Sequence, residues 1–125
     1  MTTNDDAVGA VVVLTTTADD DSARSLSRAL VEEGLAACVT RSAVKSVFRW
    51  ETSADADDGG VASTRKMRVC EEDEVLLVVK TSRTRVAQLE KRLLELHPYD
   101  CPELIRVEPE HVEERYLAWL LAACA

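Results

Sequence analysis

A chain of 125 residues carries 23 acidic and 15 basic side chains, a formal charge of −8, with 46% hydrophobic and 30% charged residues. That length and composition fit one globular domain, and the negative charge works at long range against phosphate backbones and anionic lipid surfaces, which argues against nucleic acid or a membrane as partner. No apolar run approaches the roughly 18 residues a membrane span needs, and Met1 to Asp6 has neither a basic nor an apolar segment of secretory type, so the expected compartment is the cytoplasm.

In chain order, the β-branched and aliphatic run Val11 to Leu14 reads as a strand covered on both faces or central in its sheet. Asp19 to Ser22 supplies capping side chains and negative charge for a helix whose apolar positions are Ala23, Leu26 and Leu30, ending near Gly34. Leu35 to Val39 leads into an extended segment in which Phe48 and Trp50 share one face. From Glu51 to Arg65 the residues turn to Ser, Thr, Ala, Asp and Gly and read as a long hairpin tip. Met67 to Lys80 resumes as a strand with the apolar run Val75 to Val79, after which Thr81 and Ser82 offer N-caps for a helix carrying Val86, Leu89, Leu93 and Leu96. His97 and Pro98 stop that helix, because a residue before proline is driven from helical to extended backbone. A last strand over Glu103 to Val107 precedes a C-terminal helix whose expected apolar face is Val112, Tyr116, Trp119, Leu120 and Ala123.

This order predicts an α+β fold, the ferredoxin-like split βαβ sandwich with an extra C-terminal helix. The domain spans 8–124, after a disordered leader over 1–7, with an acidic hairpin-tip insertion at 52–65. Two helices cover one face of the sheet, and the economical cover for the other is a second copy of the chain. Cys38, Cys70, Cys101 and Cys124 have no paired spacing, so neither a zinc knuckle nor a disulfide framework is expected, and Cys38 and Cys70 read as small buried hydrophobes. Arg outnumbers Lys 11 to 4, and acids crowd into Asp19 to Asp21, Asp55 to Asp58 and Glu71 to Glu74, the surface expected of a salt-adapted protein.

Five segments in order resemble the CutA divalent-cation-tolerance family. His97-Pro98-Tyr99-Asp100-Cys101-Pro102-Glu103-Leu104 is similar to its HPY-x-x-PE-[IL] stretch, and Gly34 to Val39 to its LAAC segment. Phe48-x-Trp50-Glu51, Leu76 to Thr81 and Tyr116-Leu117-x-Trp119-Leu120 resemble its aromatic, LLxxKT and YLxWL segments. The resemblance implies a PII-like homotrimer, non-catalytic, associated with tolerance of or response to copper and other divalent cations. It also implies that the copper ligands of bacterial members, a cysteine ending the first strand and a His-His pair, fall at Thr15 and at Leu96-His97 here. Of these, His97 alone is a soft ligand, and one imidazole does not make a copper site.

Two readings of His97 follow: a residue that caps the helix end and donates to a carbonyl, or a metal ligand completed by Glu103 across the turn. No tightly bound cofactor is expected, only copper or another divalent cation held weakly. Phe48, Trp50, Tyr99 and Trp119 are the candidate oligomer interface. Asp55-x-Asp57-Asp58-Gly59-Gly60 has the start of a calcium loop, but Lys66 stands where the bidentate Glu belongs. The alternative function is a PII-like signalling module binding a small effector in inter-subunit clefts. An acylphosphatase-like enzyme is opposed by the three carboxylates of Asp19 to Asp21, and an RNA-binding sheet by the net charge.

Overall fold

The computed structural model describes residues 9–53 and 65–125. The expected leader over 1–7 and the calcium-loop-like stretch from Asp55 to Gly60 lie outside the described residues. The elements are β1 (Ala10–Thr17), α1 (Asp20–Glu32), β2 (Cys38–Ser53), β3 (Arg65–Ser82), α2 (Val86–Leu96), β4 (Ile105–Val107) and α3 (Glu114–Ala123). The four strands form one antiparallel sheet in the order β2-β3-β1-β4, so the two most apolar strands are central.

Local chemistry sets the boundaries. Asp19 is the N-cap of α1, its carboxylate accepting the Ser22 N–H at 2.8 Å. Gly34, at φ +75°, takes the left-handed turn that ends α1 and lets the Leu35 N–H reach the Leu30 carbonyl. The expected cap for α2 is corrected: Thr81 and Ser82 belong to β3, where Thr81 pairs with Val11 and donates its hydroxyl to the Leu35 carbonyl at 2.6 Å. The ladder and that buried bond keep both residues extended, and α2 starts only after a turn in which Ser82 Oγ accepts the Arg85 N–H. The last strand is also shorter than expected, beginning at Ile105 rather than Glu103.

Strand alternation divides the sheet into two unlike faces. Val11 and Val13 of β1 and Val75, Leu77 and Val79 of β3 meet Ala23, Leu26 and Leu30 of α1 and Val86, Leu89 and Leu93 of α2 in one core. On the other face Val12, Leu14, Leu76 and Val78 are only half buried, and Ile105 and Val107 beside them are exposed. Helix α3 packs at the end of the sheet where β1 begins, through Leu120 and Cys124 against Ala10 and Ala37.

That contact corrects part of the expected face of α3: Leu120 is buried and Val112 packs beside it as expected, but Tyr116 and Trp119 are exposed. Leu117, Leu120, Leu121 and Cys124 turn inward, while Tyr116 and Trp119 stack outside, with Trp119 48% exposed. A sequence stripe rich in aromatics was the stronger apolar signal, yet the shallow ground offered by Ala10 and Ala37 accepts aliphatic chains instead. Cys38 and Cys70 are likewise corrected from buried to half buried, since both lie on β2 and β3 facing away from the helices. The β2–β3 ladder runs out through Thr52↔Lys66 and Ser53↔Arg65, so ordered strand reaches into the segment expected as a hairpin tip. Beyond Thr17↔Val75 these two strands pair only with each other, as a ribbon whose Val47, Trp50, Met67 and Val69 are exposed.

Candidate functional site

A groove of about 880 Å³ lies between the inner end of the ribbon and the loop from α2 to β4. Its ribbon side carries Phe48 and Trp50 from β2 and Glu72 and Glu74 from β3, all on the face turned away from α1 and α2. Phe48 and Trp50 meet edge to face, with ring centroids 6.5 Å apart. Tyr99, Asp100, Cys101 and Glu103 form the loop side, and Thr16 of β1 contributes to the lining between them.

Proline geometry and one histidine build the loop. The His97 N–H makes the last helical bond, to the Leu93 carbonyl at 2.9 Å, and its ψ of 134° then turns the chain into extended backbone ahead of Pro98. The ring is buried, at 7% exposure, and both of its nitrogens are engaged. Nε2 lies 2.8 Å from the Thr16 carbonyl oxygen, and Nδ1 receives the Tyr99 N–H at 3.0 Å. An N–H donor facing Nδ1 requires that nitrogen to be unprotonated, so the ring proton is on Nε2 and is donated to Thr16. Burial pushes the His97 pKa below the usual 6.5, outweighing the Thr16 carbonyl and the Glu74 charge that pull it up. The ring is therefore neutral at pH 7.

Tyr99 joins the loop to the ribbon. Its hydroxyl donates to Glu74 Oε2 at 2.9 Å, and its ring lies 4.9 Å from that of His97. Burial and the Glu74 carboxylate push the phenol up to about 12, so it remains a donor throughout the neutral range.

The structure thus brings Phe48, Trp50, Tyr99 and Glu103 to one groove and leaves Trp119 on the outer face of α3. Of the two readings of His97, the carbonyl donor is the one observed, and no ring nitrogen is left free for a cation. His97 is not among the groove's lining residues, and Glu103 is exposed on its rim. Among the described residues no three His, Cys, Asp or Glu side chains gather in a way that could hold a metal ion. Thr15, where the resemblance puts the cysteine of bacterial members, is fully buried on the helix-covered face, and its hydroxyl has no partner among the described residues. Sequence reasoning missed Glu74 as the acceptor for Tyr99. The signal was there in the alternation Glu72, Glu74, Leu76, Val78, which puts the last acid of the block on the face the loop closes over.

A family model described as CutA1 divalent ion tolerance protein matches residues 11–123. The chain is 36% identical over 99 residues to the divalent-cation tolerance protein CutA of Thermus thermophilus, covering 78% of this chain and 82% of that one. It is 32% identical over 100 residues to the CutA of Pyrococcus horikoshii, covering 80% and 83%. The solved structure of CutA from Synechococcus elongatus superposes with a TM-score of 0.78 at 28% identity, over 94% of this chain and 92% of that one.

Proposed function

Because the chain belongs to the CutA1 divalent ion tolerance family, we propose that it works as a homotrimeric, non-catalytic scaffold in divalent cation (copper) tolerance or response, in the cytoplasm. The observation that carries the proposal is the uncovered face of the sheet. Val12, Leu14, Leu76, Val78, Ile105 and Val107 form one apolar surface that no helix among the described residues crosses, and a surface of that kind is suited to association. Phe48, Trp50 and Tyr99 continue that surface along the groove, and exposed Trp119 is the further interface candidate on α3. Light scattering checks the assembly: a mass three times 13.8 kDa is expected at micromolar concentration, and a monomer would overturn it. Leu14→Asp should dissociate the trimer while far-ultraviolet circular dichroism stays unchanged, because the buried face does not contain Leu14.

For cations the proposal is weak contact rather than a resident metal. Thr15 and Leu96 offer no soft ligand, His97 has both nitrogens in use, and Glu103 remains as an exposed carboxylate on the groove rim. Calorimetric titration with copper and zinc should give no tight stoichiometric site, and one that binds tightly would refute this. The alternative PII-like module, binding a small anionic effector between subunits, gains nothing from a groove lined by Glu72, Glu74 and Glu103.

A further inference from the structure

His97 sits where three parts of the molecule meet. Its backbone ends α2, its Nε2 proton is given to the Thr16 carbonyl of β1, and its Nδ1 holds the Tyr99 N–H, beyond which the Tyr99 hydroxyl grips Glu74 of β3. The bond between Nδ1 and Tyr99 has a property the others lack: it exists only while that nitrogen carries no proton. A proton added there would turn an acceptor into a donor pointing at another donor, on a ring that is buried.

We infer that His97 is a proton-operated latch, which in its neutral form pins the Tyr99 loop against β1 and on protonation at Nδ1 releases that loop from the groove. The charged group that acts on the ring is Glu74 of β3, with Tyr99 beside it on the loop, and Glu72 of β3 and Asp19 at the start of α1 act on Tyr99 in turn. The Thr16 carbonyl and the Glu74 charge both raise the ring's proton affinity, and burial outweighs them, so the latch is closed at neutral pH and opens on acidification below 6.5. Loop release removes Tyr99 from Glu74 and takes away one wall of the groove, so the state of this ring regulates whether the groove is formed. The latch is made of bonds within one subunit, although Tyr99 is also among the residues proposed at the subunit interface.

The test is nuclear magnetic resonance of the full chain between pH 8 and 4.5, with the two histidines told apart by His111→Gln. The His97 ring should titrate with a midpoint below 6.5. The Tyr99 amide, corrected for intrinsic exchange, should lose protection by up to about tenfold per pH unit as pH falls from 6.5, the value of a released ring, to that midpoint, and level off below it, while the amides of Val13 and Val79 in the central ladder keep theirs. In His97→Asn, whose amide oxygen replaces Nδ1 as acceptor without titrating, Tyr99 protection should not vary with pH. A ring neutral down to pH 4.5, a Tyr99 amide indifferent to its titration, or loss of Val13 and Val79 protection in step would each overturn the latch. The wild-type titration decides by itself where the substituted chain fails to fold. Light scattering on the same samples reports assembly separately, so a monomer at pH 8 defeats the trimer and leaves the latch test intact.

Discussion

The two faces of the sheet are made by the same strands from the same kinds of residue, yet they end in different states. On the helix face Val11, Val13, Leu77 and Val79 have no exposure at all, while their immediate neighbours Val12, Leu14, Leu76 and Val78 on the other face are half exposed. Alternation with period two gives both faces an apolar surface, and the helices among the described residues cover only one. One face is therefore solved within the chain and is about stability. The other keeps an apolar surface that no described helix covers, and the groove that carries Phe48, Trp50 and Tyr99 opens on that same side. Leaving such a surface bare costs about 25 cal/mol for each Å² of apolar area that water must cover.

The largest effect should come from the covered face. Leu77→Ala leaves a cavity where Leu77 meets both helices, and urea unfolding should show a loss of about 2–5 kcal/mol. A loss under about 1 kcal/mol would mean that this face is less closely packed than its burial indicates. On the open face Trp50→Ala, removing a ring 51% exposed in the monomer, should leave subunit folding intact and weaken assembly by about 2 kcal/mol, read from the trimer dissociation constant. An unchanged constant would remove Trp50 from the interface. Tyr99→Phe deletes the bond to Glu74 at the junction of the two regions and should cost about 1 kcal/mol, reduced by its partial exposure.

Thr15→Val runs the other way. The hydroxyl is buried without a partner, so the nearly isosteric apolar side chain should stabilise the subunit by about 1 kcal/mol. A destabilised variant would mean that the hydroxyl has an acceptor after all. The smallest effect is at alkaline pH. The folded Tyr99 phenol holds its proton up to about 12, against 10 unfolded, so its contribution is complete below pH 10 and is lost as pH rises through that window. Ultraviolet titration in wild type and Tyr99→Phe should differ by one phenol ionising late.

Several elements were legible because they depend on neighbours in sequence. Asp19 caps α1 by reaching Ser22 three residues away, Gly34 ends the helix through its own backbone freedom, and Pro98 turns the chain through its contact with His97. The order of strands and helices, the central place of the two apolar runs and the family segments follow from the same short-range pattern. Other features were set by partners far along the chain. Thr81 was read as a helix cap and is a strand residue, because Leu35 and Val11 hold it. The aromatic stripe of α3 was expected to face inward and faces outward, because Ala10 and Ala37 receive Leu120 and Cys124.

The site divides in the same way. That His97 ends a helix is written in His97-Pro98, which leaves open the choice between a carbonyl donor and a metal ligand. The identity of the carbonyl, the tautomer it selects and the grip of Tyr99 on Glu74 are not written there, since Thr16 is 81 residues from His97 and Glu74 is 25 from Tyr99. The sequence by itself determined the elements, their order and the apolar character of both sheet faces, because those are set by periodicity and by single-residue backbone preferences. Only the tertiary structure decided which face stays open and which nitrogen of His97 carries the proton. Both depend on which distant groups come within contact distance once the helices have taken one side of the sheet.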